Sequence, residues 1–258
     1  IRRPPRSTLS SSSAASDVYK RQVLGVSTEE YRRHGAFAEY VSIPGHILYK
    51  IPGEVSFVQA SMVEPVAVAA HAVGLTPLSW NDTVVVVGSG MIGLFLIQVL
   101  RSKGCGTIIA VDVDPDRLAL AKNLGADVVI QSGSESVRDR VFAITENRGA
   151  DAVFEVVGIS DAVQTAIACA GKGATVTLVG NLSPRVEIPL QSVVTRQLRL
   201  QGSCAICGEY PAVLDMISRG RIDVNAVLSA EAPLSEGAEW FKRLYNKEPG
   251  LMKVVLIP

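Results

Sequence analysis

The sequence has no surplus of charge of either sign: 25 Lys and Arg stand against 25 Asp and Glu, for a formal net charge of zero. A protein that neutralises phosphates needs a basic excess, so neither nucleic acid nor an anionic membrane surface is expected as a partner. No apolar run reaches the ~20 residues that span a bilayer. The first 22 residues lack the apolar centre of a secretion signal. Cysteine is scarce, with four in 258 residues: Cys105, Cys169, Cys204 and Cys207. That is no disulfide framework for a chain this long, and a reducing, cytoplasmic location is expected. Cys204 and Cys207 form a close pair, but no second pair accompanies them, so zinc-ribbon ligation is poorly supported. The three histidines, His34, His46 and His71, share no metal-ligand spacing and read as surface or packing residues.

What remains is the composition of a globular protein, 48% hydrophobic, with room for one large domain or two modest ones. Residues 1–22 stand apart, with a Ser run, a Pro pair and no periodicity. They read as a disordered tail or as non-native leader sequence, of the kind translated from an adapter at the end of an assembled gene fragment. They are excluded from fold reasoning either way. Residues 35–51 (GAFAEYVSIPGHILYKI) alternate between Pro and Gly breaks and suggest short strands. Residues 59–75 suggest a helix with Pro65 near its start.

Beyond Asp82 the rhythm is regular. TVVVVG (83–88), TIIAVD (107–112), DVVI (127–130), AVFEVV (152–157), ATVTLVG (174–180) and LRLQG (198–202) read as strands. Continuous apolar runs of this kind suit strands buried on both faces. Between them, residues 92–103, 115–124, 136–147 and 161–170 read as helices. Strand and helix alternating at this interval imply βαβ units and a doubly wound parallel sheet. Residues 210–219 and 234–246 suggest amphipathic helices. The final run, 251–257, suggests a strand belonging to another domain.

Gly88-Ser89-Gly90-Met91-Ile92-Gly93 follows the first of these strands and opens a helix. In that context the pattern predicts a dinucleotide site. Gly88 permits the tight turn, Gly90 a close approach of pyrophosphate, and Gly93 close helix–strand packing. The N–H groups of Met91 and Ile92 would face the phosphates at the positive end of the helix. Asp112 ends the next strand, ~20 residues on, where an acid accepts the adenosine ribose hydroxyls and repels a 2′-phosphate; NAD is therefore favoured over NADP. Arg117 is a cation beside it that reads either as a ribose or adenine contact or as part of a solvated face. Glu64, in Met62-Val63-Glu64-Pro65, is a carboxylate amid small apolar residues. It reads equally as a helix-start acid or as a group needing a partner or metal.

Together these motifs resemble the zinc-dependent medium-chain dehydrogenase/reductase family, particularly its sorbitol, threonine and galactitol-phosphate dehydrogenases. The resemblance rests on residues 35–41 (GAFAEYV), 64–73 (EPVAVAAHAV), 88–93, 111–127, 154–158 (FEVVG), 177–181 (TLVGN), 208–223 and 251–256. It implies a Rossmann NAD-binding domain over residues 66–205. It also implies the remnant of a GroES-like β-barrel catalytic domain over residues 23–65 and 206–258. The implied activity is hydride transfer between an alcohol or polyol and NAD, with a catalytic zinc in the full-length enzyme and a homodimer or homotetramer as the assembly. Glu64 would then be the catalytic acidic residue at the zinc. Val156, Gly158, Val179, Gly180, Asn181 and Cys204 would line the nicotinamide side, and Lys253 matches a position that often carries a cation near the cofactor phosphates.

The sequence departs from the family's pattern in its front half. The expected Cys zinc ligand, Gly-His-Glu segment and four-Cys lobe are not found, and His34 lies in Arg33-His34-Gly35. Glu64 alone cannot hold a zinc that takes about three protein ligands. A chain lacking the front part of the enzyme is the expectation. The alternatives are an NAD-binding fragment without catalysis and a zinc-free quinone or enoyl reductase of the same superfamily.

Overall fold

A computed structural model of the chain describes residues 35–258; the expectations for residues 1–22, for residues 23–34 and for His34 lie outside them. Six parallel strands form the main sheet: β1 (Val84–Val87), β2 (Ile108–Asp112), β3 (Val128–Gln131), β4 (Ala150–Glu155), β5 (Ala170–Leu178) and β6 (Arg199–Gly202). Their order across the sheet is β3-β2-β1-β4-β5-β6. The winding reverses between β1 and β4. In such sheets a ligand crevice opens there, at the carboxyl ends of the strands.

Alternate residues of each strand feed two hydrophobic clusters, one per face, because successive Cβ atoms point to opposite sides. Val84, Val86, Ala152 and Phe154 pack with α2 (Val63–Leu75), α3 (Met91–Lys103) and α8 (Tyr210–Ser218). Val85, Val87, Val153 and Val176 pack with α5 (Val137–Ile144) and α6 (Ser160–Cys169). All four residues of β1 are buried, which is why its sequence shows no polar alternation. Phe95 and Phe154 are wholly buried, and side chains of this size each contribute about 1.5–3 kcal/mol of transfer free energy. α4 (Pro115–Asn123) starts where Asp114 caps the N–H groups of Asp116 and Arg117 and Pro115 occupies the first turn.

The observed elements differ from the sequence expectations in several places. Residues 35–51 form no strand; they hold one 3₁₀ turn, Gly45–Ile47, because a strand needs a partner and none pairs with them among the described residues. The expected helix over 59–75 is two: α1 (Phe57–Ala60), closed by a Ser56–Gln59 capping box, then α2. A short α7 (Leu190–Thr195) and strand β7 (Leu228–Pro233) were not expected. The helix expected over 234–246 begins as a 3₁₀ turn, Leu234–Glu236, and continues as α9 (Gly237–Tyr245). The final strand, β8 (Lys253–Ile257), pairs in parallel with β7 as a separate two-stranded sheet. Among the described residues, no helix is long and apolar enough to cross a membrane.

Candidate functional site

Each glycine of the 88–93 turn has a different reason to lack a side chain. Gly88 leaves β1 at φ +103, a conformation L side chains rarely adopt, and a Cβ there would meet Val157 at 2.7 Å. A Cβ on Gly93 would stand 1.9 Å from the Gly88 carbonyl oxygen, so α3 can pass this close to the turn only with glycine at that position. Gly90 is different: it is the N-cap of α3, at φ −71, and nothing lies within 4 Å of where its Cβ would be. Its missing side chain serves neither backbone geometry nor internal packing, and leaves open space at the helix N-terminus. The next residues, Met91 and Ile92, open α3 with half-buried side chains.

Asp112, buried at the end of β2, braces this turn. One carboxylate oxygen accepts the Ser89 N–H at 2.6 Å and the other accepts the Asp114 N–H at 2.9 Å. Each oxygen keeps a second lone pair for a ligand hydroxyl. Asp112, Gly88, Arg117 and Val157 line one cleft of about 290 Å³ on this side of the turn. A second, of about 520 Å³, runs past Gly90, Met91, Asp114 and Arg117 to Lys247 and Met252. Arg117 is exposed, reaches Asp114 at 3.5 Å, and lines both clefts. The Ser89 hydroxyl is buried without a hydrogen-bond partner among the described residues.

Across the crevice, the loops after β4 and β5 are pressed together. A Cβ on Gly158 (φ +82) would lie 2.4 Å from the Asn181 nitrogen, and one on Gly180 would lie 2.2 Å from the Gly158 nitrogen. The Ser183 N–H donates to the Gly158 carbonyl at 2.8 Å, and the Val156 N–H to that of Val87 at 2.9 Å. Val156 and Val179 are half-buried and Asn181 is exposed, so this wall presents mainly backbone. Cys204 follows β6 and is exposed, as is Cys207; between them Ala205 holds φ +53.

Glu64 lies in the first turn of α2. The residue as a whole is exposed, yet its carboxyl is recessed enough that burial raises its pKa, against the pull of Lys253. Lys253 stands at the start of β8. Tyr210 stacks edge-on against Tyr49, with ring centroids 5.2 Å apart; burial, then Glu64 and Tyr49, push its pKa up to about 12. Farther along α2, His71 Nδ1 lies 2.8 Å from a carboxylate oxygen of Glu209, whose other oxygen accepts the Cys207 N–H. Among the described residues, no group of three His, Cys, Asp or Glu stands close enough to hold a metal ion. Glu64 offers one ligand where a catalytic zinc takes about three.

Three features went unseen in the sequence. Glu155, buried at the end of β4, accepts the N–H groups of Val157 and Gly158. The His71–Glu209 pair joins residues 138 positions apart. Lys247 reaches the cleft beside Gly90 from the far end of the chain. The signal available for Glu155 was an ionisable residue inside an otherwise apolar run.

A family profile described as "Zinc-binding dehydrogenase" matches residues 92–219. Sorbitol dehydrogenase of Bacillus subtilis (strain 168) is 28% identical over 226 residues, which cover 87% of this chain and 64% of that protein. Among solved structures, an alcohol dehydrogenase from Escherichia coli CFT073 complexed with NADH superposes with a TM-score of 0.81 at 26% identity, covering 90% of this chain and 68% of the other. A zinc-binding dehydrogenase from Sinorhizobium meliloti 1021 bound to NADP gives 0.79 at 28% identity, covering 89% and 68%. The chain thus spans less than two thirds of the length of that sorbitol dehydrogenase.

Proposed function

Since the chain belongs to the family of zinc-type medium-chain alcohol and polyol dehydrogenases, we propose that it is the dinucleotide-binding portion of an NAD-dependent enzyme that oxidises an alcohol or polyol. In that reaction hydride leaves the carbinol carbon for the nicotinamide, the hydroxyl proton is released, and the carbonyl compound and NADH are the products. The observation that carries the reading is the set of three glycines, with Gly90 opening onto space where Gly88 and Gly93 are hemmed in.

In this reading the N–H groups at the start of α3 receive the pyrophosphate, where the helix dipole favours negative charge. Asp112 accepts the ribose hydroxyls with its spare lone pairs and disfavours a 2′-phosphate. Arg117 borders the adenosine cleft. The backbone of Val156–Gly158 and Val179–Asn181, with Cys204 nearby, borders the nicotinamide. Residues 66–205 form the nucleotide-binding unit, and residues 23–65 and 206–258 belong with the substrate domain. Zinc would supply Lewis-acid polarisation of the substrate hydroxyl. The described residues do not make its site by themselves, and Glu64 is the one assigned to it, so no step is derived through the metal. The proposed setting is the cytoplasm, in a dimer or tetramer.

Fluorescence titration of the purified chain with NADH and NADPH tests the reading. Saturable NADH binding, tighter than that of NADPH, is expected. Absence of binding to either nucleotide would overturn it. A clear NADPH preference would favour a zinc-free reductase instead.

A further inference from the structure

Glu155 is wholly buried at the carboxyl end of β4, beside the reversal of strand order. Its Oε1 accepts two backbone N–H groups, from Val157 at 2.8 Å and Gly158 at 2.7 Å. Its own main-chain carbonyl accepts two more, from Val179 at 2.8 Å and Gly180 at 3.1 Å. One residue thus holds both loops of the nicotinamide-side wall, the first through its side chain and the second through its backbone. The Gly158–Gly180 contact leaves no slack between those loops, because neither position has room for even a methyl group.

We infer that Glu155 is a positioning residue, which fixes the spacing of the Val156–Gly158 and Val179–Asn181 loops before the nicotinamide arrives. This inference rests on the dinucleotide reading above. A role in stability alone accounts poorly for an acid here. Oε2 has no hydrogen-bond partner among the described residues, and burial raises the carboxyl's pKa even though two N–H groups oppose that shift. An apolar residue of this size would avoid the desolvation cost but leave the Val157 and Gly158 N–H groups unmet. A neutral amide oxygen can accept both, so the role requires the acceptor at Oε1 more than the charge.

The test compares NADH with ADP-ribose, which keeps the pyrophosphate and adenosine but lacks the nicotinamide. Glu155→Met should weaken NADH about tenfold, a loss of about 1.4 kcal/mol, and change ADP-ribose affinity less than about twofold. Glu155→Gln should restore NADH to within about threefold of wild type, an outcome that replacing buried volume alone would not produce. Equal weakening of both ligands by Glu155→Met, or no change in either, overturns the inference and leaves the dinucleotide reading intact. Wild-type protein that binds neither ligand overturns both. Hydrogen exchange on the ligand-free wild type gives a check that needs no variant. The amides of Val157, Gly158, Val179 and Gly180 should be protected at the level of β4 itself, and exchange at unstructured-loop rates would overturn the inference.

Discussion

Asp112 accepts the Ser89 N–H at 2.6 Å, so the acid that ends β2 is also the brace of the glycine turn beside it. Its other oxygen takes the Asp114 N–H at 2.9 Å. Asp112→Asn would place an NH₂ group against one of those donors, at a cost of about 1–3 kcal/mol for a buried group left unsatisfied. The substitution also removes the negative charge that opposes a 2′-phosphate. NADH affinity should fall, NADPH affinity should fall less, and the ratio between them should narrow. Urea unfolding and paired nucleotide titrations read the two effects separately. A ratio that does not move would remove Asp112 from the ribose.

Gly90 and Gly93 should respond oppositely to alanine. At Gly93 the new methyl would meet the Gly88 carbonyl at 1.9 Å, backbone that cannot move aside without displacing α3. Gly93→Ala should lower stability by about 1–3 kcal/mol or more, as overpacking does, and take nucleotide binding with it. At Gly90 the φ of −71 suits alanine and nothing lies within 4 Å. Gly90→Ala should unfold at an unchanged denaturant midpoint and still lose NADH affinity, because the methyl would occupy the space left for the phosphates. Full NADH affinity in Gly90→Ala would place the pyrophosphate elsewhere.

The central sheet was legible because its signals are local. Val84–Val87 is a continuous apolar run, Gly88–Gly93 follows it directly, and Pro115 and Gly125 bracket a helix in the usual order. The parts that stayed hidden depend on partners far along the chain. Residues 35–51 carry strand-like alternation, but alternation supplies no partner strand, and none pairs with them among the described residues. β7 alternates only weakly between exposed and buried positions, and takes its form from pairing with β8. Glu155 was read only as part of an apolar strand, since its task depends on where the chain turns next. Lys247, which lines the cleft beside Gly90, carries no local sequence signal, because its place there depends on how the end of the chain folds back toward the glycine turn.

The His71–Glu209 pair should hold the entry of α8 against α2. The two side chains are only 16% and 20% exposed, and Glu209 also accepts the Cys207 N–H, so its loss removes both contacts at once. Glu209→Ala should cost about 1.5–3 kcal/mol, the range for hydrogen bonds to a charged group. Glu209→Gln should recover much of that loss. A double-mutant cycle with His71→Ala should show a coupling of about 0.5–3 kcal/mol. Simple additivity would mean that the contact contributes nothing of its own.

Asp127 predicts how acid weakens the fold. Its Oδ2 accepts the Ile108 N–H at 2.8 Å and the Arg101 guanidinium at 2.5 Å, tying the end of α3 to the entries of β2 and β3. Burial by itself would raise this carboxyl's pKa, but the Ile108 N–H and Arg101 outweigh it and leave the value lowered. A depressed folded pKa stabilises the fold fully above the unfolded value of about 3.9 and is lost as pH falls through the folded value. The Tm difference between wild type and Asp127→Asn should therefore be constant above about pH 5 and close below about pH 4. At 45% exposure the Asp127 side chain is open to screening, so the same difference should shrink in high salt. A gap that persisted undiminished at pH 3 would assign the effect to hydrogen-bond geometry and remove the ion pair from the account.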